Sequence, residues 1–250
     1  MSHTAFNSRT RSRLALLIAG MLIVPSVQAG GMKKKMKDAQ GAFVIAPGIS
    51  FLDLEELNDE WAIRDIPEFE TFSPTLNVSK NFYAGRMVST GELNFMFWES
   101  RYAHGVETGL FGFSVMSHWG FNVLSSHLDA RIYPLLGLGY GVLKLDINDH
   151  KRSFSSAFAS DGYSVKLLQH TFLIALSGAA EYLLPIWHGK KLTLGLRGGY
   201  VFDVIEHDRW LQKQGTEVTG GPEISMSGGY IAVIIGKSID YPLHKKMHDK

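Results

Sequence analysis

Leu128-Asp-Ala-Arg-Ile-Tyr-Pro-Leu-Leu-Gly-Leu-Gly-Tyr-Gly-Val142 decides the architecture. Read in steps of two, Leu128, Ala130, Ile132, Pro134, Leu136, Leu138, Tyr140 and Val142 fall on one side. Asp129, Arg131, Tyr133, Gly137, Gly139 and Gly141 fall on the other. A period of two is that of an extended strand, whose successive side chains point to opposite faces. The same sorting separates Leu192, Leu194, Leu196, Tyr200, Phe202 and Val204 from Thr193, Gly195, Arg197, Gly199 and Asp203. In 169–184, Phe172, Ile174, Leu176, Gly178, Ala180 and Tyr182 oppose Gln169, Thr171, Ser177 and Glu181; in 109–119, Phe111, Phe113, Val115 and Trp119 oppose Ser114 and His118.

One greasy face and one face of glycine, hydroxyl and sparse charge admit two orientations. A water-soluble barrel hides its apolar face and covers the outer one densely with charge. Here the polar faces are too poor in charge for that and suit a narrow lumen, so the pattern predicts an all-β antiparallel transmembrane barrel. Connection lengths alternate as such barrels require: long and acidic (53–68), short (80–86), medium (100–108), short (124–127), long (146–164), short (185–190) and long (206–224). From a first strand near 42–52 to a last near 226–239, this gives about eight strands, with long outer loops and short periplasmic turns. Trp61, Trp98, Tyr102, Trp119, Tyr140, Tyr182, Trp187, Trp210 and Tyr230 are the expected aromatics of the two membrane interfaces.

The first residues divide as a secretory signal divides, into basic Arg9, Arg11 and Arg13, an apolar run from Leu14 to Val24, and Pro25-Ser-Val-Gln-Ala29. The run is short for a spanning helix, which needs about 20 residues, and Val27 and Ala29 stand where a signal peptidase reads, so cleavage after Ala29 is expected. Losing three arginines and no acid takes the formal charge of +1 down to −2. With cations scattered apart from Lys33, Lys34, Lys35 and Lys37, nucleic acid is not an expected partner. The chain has no cysteine, which excludes disulfides, thiolate metal sites and a lipoprotein anchor. The expected organisation is a signal peptide (1–29), a basic periplasmic segment (30–40), one barrel (41–239) and a basic tail (240–250).

Tyr133-Pro-Leu-Leu-Gly-Leu-Gly-Tyr-Gly-Val142, Ser177-Gly-Ala-Ala-Glu-Tyr-Leu183, Leu194-Gly-Leu-Arg-Gly-Gly-Tyr200 and Ser227-Gly-Gly-Tyr-Ile231, in that order, resemble the small outer-membrane barrel superfamily. That group includes opacity-type adhesins and the transmembrane domain of outer membrane protein A. The resemblance covers roughly 128–236 and implies that Arg131, Glu181 and Arg197 pair across the lumen. Such relatives close their last strand on an aromatic residue, whereas this chain runs on through Tyr241 to a basic His244–Lys250 tail.

Signals for chemistry are weak. Gly137-Leu-Gly-Tyr-Gly141 lacks a glycine three residues after its second and the strand–helix context of a nucleotide-binding loop, and is read as close packing in a narrow barrel. Ser117 and His118, with His127 and Glu92, would suit a lipid-modifying hydrolase, but adjacent strand residues face opposite ways. Ser114 and His118 share a face yet stand more than about 10 Å apart along a strand. The acidic run Asp53, Glu55, Glu56, Asp59, Glu60, Asp65, Glu68 and Glu70 reads as a solvated loop with a short amphipathic helix presenting Leu54, Leu57 and Trp61. Asp146, Asn148 and Asp149 lack the glycine and terminal glutamate of a calcium loop, and the histidines lack zinc spacing.

The expectation is a non-enzymatic outer-membrane barrel with no cofactor, metal or catalytic set, structural or adhesin-like. Its lumen is expected to be plugged by Asp129, Arg131, Glu181, Arg197 and Asp203. Its expected partners are membrane lipid and lipopolysaccharide, the barrel-assembly machinery during insertion, and host or surface ligands at the outer loops. A small-solute channel, a lipid-modifying hydrolase and a soluble periplasmic lipid-binding barrel are the alternatives.

Overall fold

A computed structural model describes residues 40–124, 129–149, 164–186, 191–204, 209–212, 217–219 and 221–240. The expected signal peptide and basic N-terminal segment, Trp187, His127 and the tail beyond Asp240 lie outside these described residues.

The strands are β1 (Gln40–Phe51), β2 (Phe72–Ala84), β3 (Met87–Phe97), β4 (Arg101–Ala103), β5 (Val106–Phe121) and β6 (Ala130–Asp149). They continue as β7 (Ser164–Pro185), β8 (Lys191–Asp203), β9 (Arg209–Gln212), β10 (Glu217–Thr219) and β11 (Gly228–Asp240), and one helix, α1 (Glu55–Ile63), sits between β1 and β2. Eight of them form a closed antiparallel ring in the order β1-β2-β3-β5-β6-β7-β8-β11, with β11 pairing back onto β1 from Gln40↔Asp240 to Ser50↔Tyr230. Closure removes both sheet edges, which matters in hydrocarbon, where each unpaired backbone group costs several kcal/mol. No helix among the described residues is long and apolar enough to cross a membrane.

Alternation holds around the ring. On β1, Phe43, Ile45, Ile49 and Phe51 are exposed while Ala42, Val44 and Ala46 are buried. On β6, Ile132, Leu136 and Leu138 are exposed while Arg131, Tyr133 and Leu135 are buried. β2 shows most clearly which side is the lumen: its inward residues are Ser73, Thr75, Asn77, Ser79, Asn81 and Tyr83, all buried and all polar. An exposed face of Phe, Leu and Ile around a buried face of hydroxyl, amide and charge is the inside-out pattern of a barrel solvated by lipid.

The short connections lie at the end where β1 begins and β11 finishes. There, Ala84↔Met87 closes a two-residue turn with Gly85 at φ 59°, a left-handed backbone that glycine adopts without strain. This end is periplasmic, and the opposite end carries the long connections 52–71, 98–105 and 204–227. β6 and β7, of 20 and 22 residues, are longer than the 9–11 or so a tilted strand needs to cross, so they run on beyond the outer surface.

Candidate functional site

The candidate site is the lumen, which polar struts and an apolar cluster cross one above the other. In the lower, periplasmic layer Glu181 of β7 is the hub. The Tyr83 hydroxyl of β2 donates to its two oxygens at 2.9 and 3.1 Å, the Tyr133 hydroxyl of β6 donates to Oε1, and Asn81 Nδ2 lies 3.5 Å away. Arg131, the register partner of Glu181, comes within 3.8 Å of it. The same guanidinium donates to Gln40 Oε1 at 2.6 Å and stacks 3.8 Å above the centre of the Tyr83 ring. β2 and β7 stand four strands apart whichever way the ring is followed, as do β1 and β6, so Tyr83–Glu181 and Gln40–Arg131 are diametric struts.

One layer further in, Arg197 of β8 pairs with Glu92 of β3 across a third diameter; the two residues are 2% and 5% exposed. His118 Nε2 lies 3.9 Å from the same carboxylate. The His118 ring lies against Gly137 of β6, where any side chain would collide with Nδ1. Small residues on the polar face of β6 thus make room for side chains reaching over from β5: Gly139 faces Met116 in the same way. Asn77, Glu92, Asn94, Ser114 and Tyr230 border a cavity above this layer, in which water centres have about 30 Å³. That is room for about two water molecules.

The plug fills the outer half. Leu54, Leu57 and Trp61 of the α1 region, with Ile66 and Phe69, pack against Leu110, Leu143, Leu145, Leu167, Trp210, Ile224 and Met226 in one buried cluster. Asn58 clamps the returning chain, its Nδ2 donating to Phe69 O at 2.9 Å and its Oδ1 accepting from Phe69 N at 2.8 Å. Glu56 accepts from Glu223 N at 3.1 Å, tying the helix to the segment that leads into β11. The acids Asp53, Glu55, Glu56, Asp59, Glu68 and Glu70 remain on the exposed side, so the helix is amphipathic as its sequence implied.

Arg131, Glu181 and Arg197 therefore lie buried in the lumen, but not as one linked set, since Arg197 takes Glu92 as its partner. Two expected members lie elsewhere. Asp129 precedes β6 at the periplasmic rim, where its half-exposed carboxylate pairs with Lys191 at 2.7 Å. Asp203 closes β8 at the outer end. It accepts from Thr171 and, at 3.1 Å, from Met226 N, and its own N–H donates to Ser227 Oγ at 2.8 Å. Both share the inward side of their strands with the arginines, but the register sets them at the barrel's two ends.

The interface aromatics need similar correction. Trp119, Tyr140 and Tyr182 face outward, Trp98 sits at the outer rim with its Nε1 donating to Glu70 O at 3.0 Å, and Tyr102 is exposed on the β4 hairpin. Trp61 and Trp210 are buried in the plug, the latter donating to Pro222 O at 2.9 Å. Tyr230 turns into the lumen beside the cavity. Phenylalanines supply much of the belt instead: Phe51, Phe72 and Phe97 at the outer end, Phe43 and Phe121 at the inner. The sequence reading missed Gln40, Tyr83 and Glu92 as strut residues; the inward, all-polar run of β2 was the available signal for Tyr83.

Ser117 and His118 point to opposite sides of the wall, His118 inward, while Ser114 and His118 are both buried on the lumen side.

No family model matches the chain, and no curated protein matches it in sequence. Among solved structures, it is similar to the attachment invasion locus protein Ail of Yersinia pestis at 11% identity, covering 81% of this chain and 99% of that one, with a TM-score of 0.45. A major outer membrane protein of Thermus thermophilus matches at 9% identity, 81% and 99% coverage and a TM-score of 0.47. The outer membrane protein OprG of Pseudomonas aeruginosa matches at 10% identity, 80% and 97% coverage and a TM-score of 0.44. The fold follows from the chain's own closure, belt and lumen. Closed on itself, apolar toward lipid and polar within, the chain is a small eight-stranded outer-membrane β-barrel.

Proposed function

We propose that this barrel is a sealed, non-enzymatic anchor that presents its outer loops to ligands or surfaces. The observation that carries this reading is the serial closure of the lumen: diametric struts block the lower half and the α1 plug fills the upper. Struts and plug stacked along the axis support a lumen that does not conduct, and the long β6 and β7 extend the chain outside the membrane. The surface on offer is acidic, with Glu55, Glu56, Asp59, Glu68 and Glu70 exposed around the mouth. The separation of Ser117 and His118 across the wall supports a non-catalytic role, because a histidine must reach a serine within hydrogen-bond distance to activate it.

Two measurements test the proposal. Liposomes reconstituted with the protein are expected to swell in small sugars no faster than protein-free liposomes, and rapid swelling would overturn the sealed reading. Cells displaying the barrel are expected to adhere to host-matrix or abiotic surfaces more than cells displaying a variant with residues 55–66 replaced by a Gly/Ser segment. Equal adherence would overturn the loop-presentation reading.

A further inference from the structure

Two lysines stand on the lipid-facing wall. Lys80 of β2 and Lys237 of β11 both alternate outward and both are exposed. Each is the register partner of Phe43 on β1, which lies between them and is itself exposed. With neighbouring strands about 4.8 Å apart, the two stems leave the wall roughly 10 Å from each other, with the Phe43 ring between.

Their depth follows from the strands. Lys80 lies four residues from Ala84, where the periplasmic turn begins, and Lys237 three from Asp240, where β11 ends. At a tilt near 40°, four residues amount to roughly 10 Å of depth, which a four-carbon stem bridges by snorkelling toward the headgroups. Beside Lys80, β3 presents small residues. Its partner on β3 is Gly91, which has no side chain, and the nearby outward Ser89 has a buried hydroxyl that makes no hydrogen bond. Among the described residues neither lysine has an ion-pair partner, and the rim acid Asp129 is already taken by Lys191. Arg86, in the turn below, adds a third cation, stacked 5.7 Å from the Phe121 ring.

We propose that Lys80 and Lys237 clamp the phosphate of an anionic phospholipid of the periplasmic leaflet, with Phe43 under its acyl attachment. Two unpaired ammonium groups at that depth repel one another where water is scarce, and phosphate is the anion a bilayer supplies there. The inference rests on the barrel's orientation in the membrane and not on what the outer loops do.

The test is native mass spectrometry of the full chain taken from mixed phosphatidylglycerol and phosphatidylcholine bilayers. Wild type is expected to retain phosphatidylglycerol preferentially, with about a fivefold loss of that preference for each lysine replaced in Lys80→Gln and Lys237→Gln. Lys191→Gln, on the same rim but paired with Asp129, is expected to keep it. Heat-modified gel mobility establishes that each variant is folded. The Lys80→Gln/Lys237→Gln double variant is expected to lose the preference altogether, and if it fails to fold the single variants carry the measurement. Undiminished preference in the lysine variants, or no preference in wild type, would each overturn the proposal.

Discussion

Glu92 and Arg197, 105 residues apart in sequence, meet across the full width of the barrel from strands that share no hydrogen bond. Their ion pair, together with Tyr83–Glu181 and Gln40–Arg131, braces the ring along three diameters. A buried pair of this kind is a weak source of net stability, because desolvation offsets much of the attraction, but it is intolerant of losing one member.

Arg197→Met leaves Glu92 as an uncompensated buried carboxylate and is expected to destabilise the barrel by about 3–5 kcal/mol, whereas Glu92→Leu with Arg197→Met is expected to recover most of that loss. Arg131→Met should act in the same direction on Glu181, more mildly, since Tyr83 and Tyr133 still donate to it. Urea midpoints in detergent decide this. An Arg197→Met variant as stable as wild type would show that the strut bears no strain.

Gly137 lies against Nδ1 and Cε1 of the His118 ring, with no room for a side chain. Gly137→Ala is expected to cost about 1–3 kcal/mol through overpacking. Because the obstacle is the ring itself, adding His118→Ala should cancel most of the penalty. A double-mutant cycle with no coupling between the two positions would refute the geometry.

Asn58 and Phe69 exchange two hydrogen bonds that fold the first loop over the mouth. Asn58→Ala is expected to lose about 1–3 kcal/mol locally while leaving the ring intact. Limited proteolysis should then cut within 55–70 in the variant and spare it in wild type, with heat-modified mobility unchanged in both. Equal resistance would show that the plug does not depend on the clamp.

On the sealed reading, strut layers and plug close the lumen in series, so breaking one is expected to leave it closed. Leu57→Asp puts a charge into the buried plug and should expel α1. Single-channel recordings should nevertheless stay silent, and steps should appear only when both strut layers are opened as well, by Glu92→Ser, Arg197→Ser, Arg131→Ser and Glu181→Ser. Conductance from Leu57→Asp alone would assign the whole barrier to the plug.

Local alternation by itself determined which way each strand faces. Arg131, Tyr133, Glu181, Thr193 and Arg197 lie inward, and Ile132, Leu136, Phe172 and Leu196 outward, because a strand's two faces are set by a period of two that any short window displays. The alternation of long and short connections likewise gave the strand number and the end from which the chain enters. Height along the barrel axis and partnership across it were decided only by the tertiary structure. Asp129 and Asp203 share a face with the arginines but lie at the rims, and Arg197 meets Glu92, because register and shear accumulate over the whole ring. Trp61 and Trp210 left the interface for the same kind of reason. A long loop that folds back into the mouth buries its aromatics in a cluster assembled from distant strands, which no local pattern encodes.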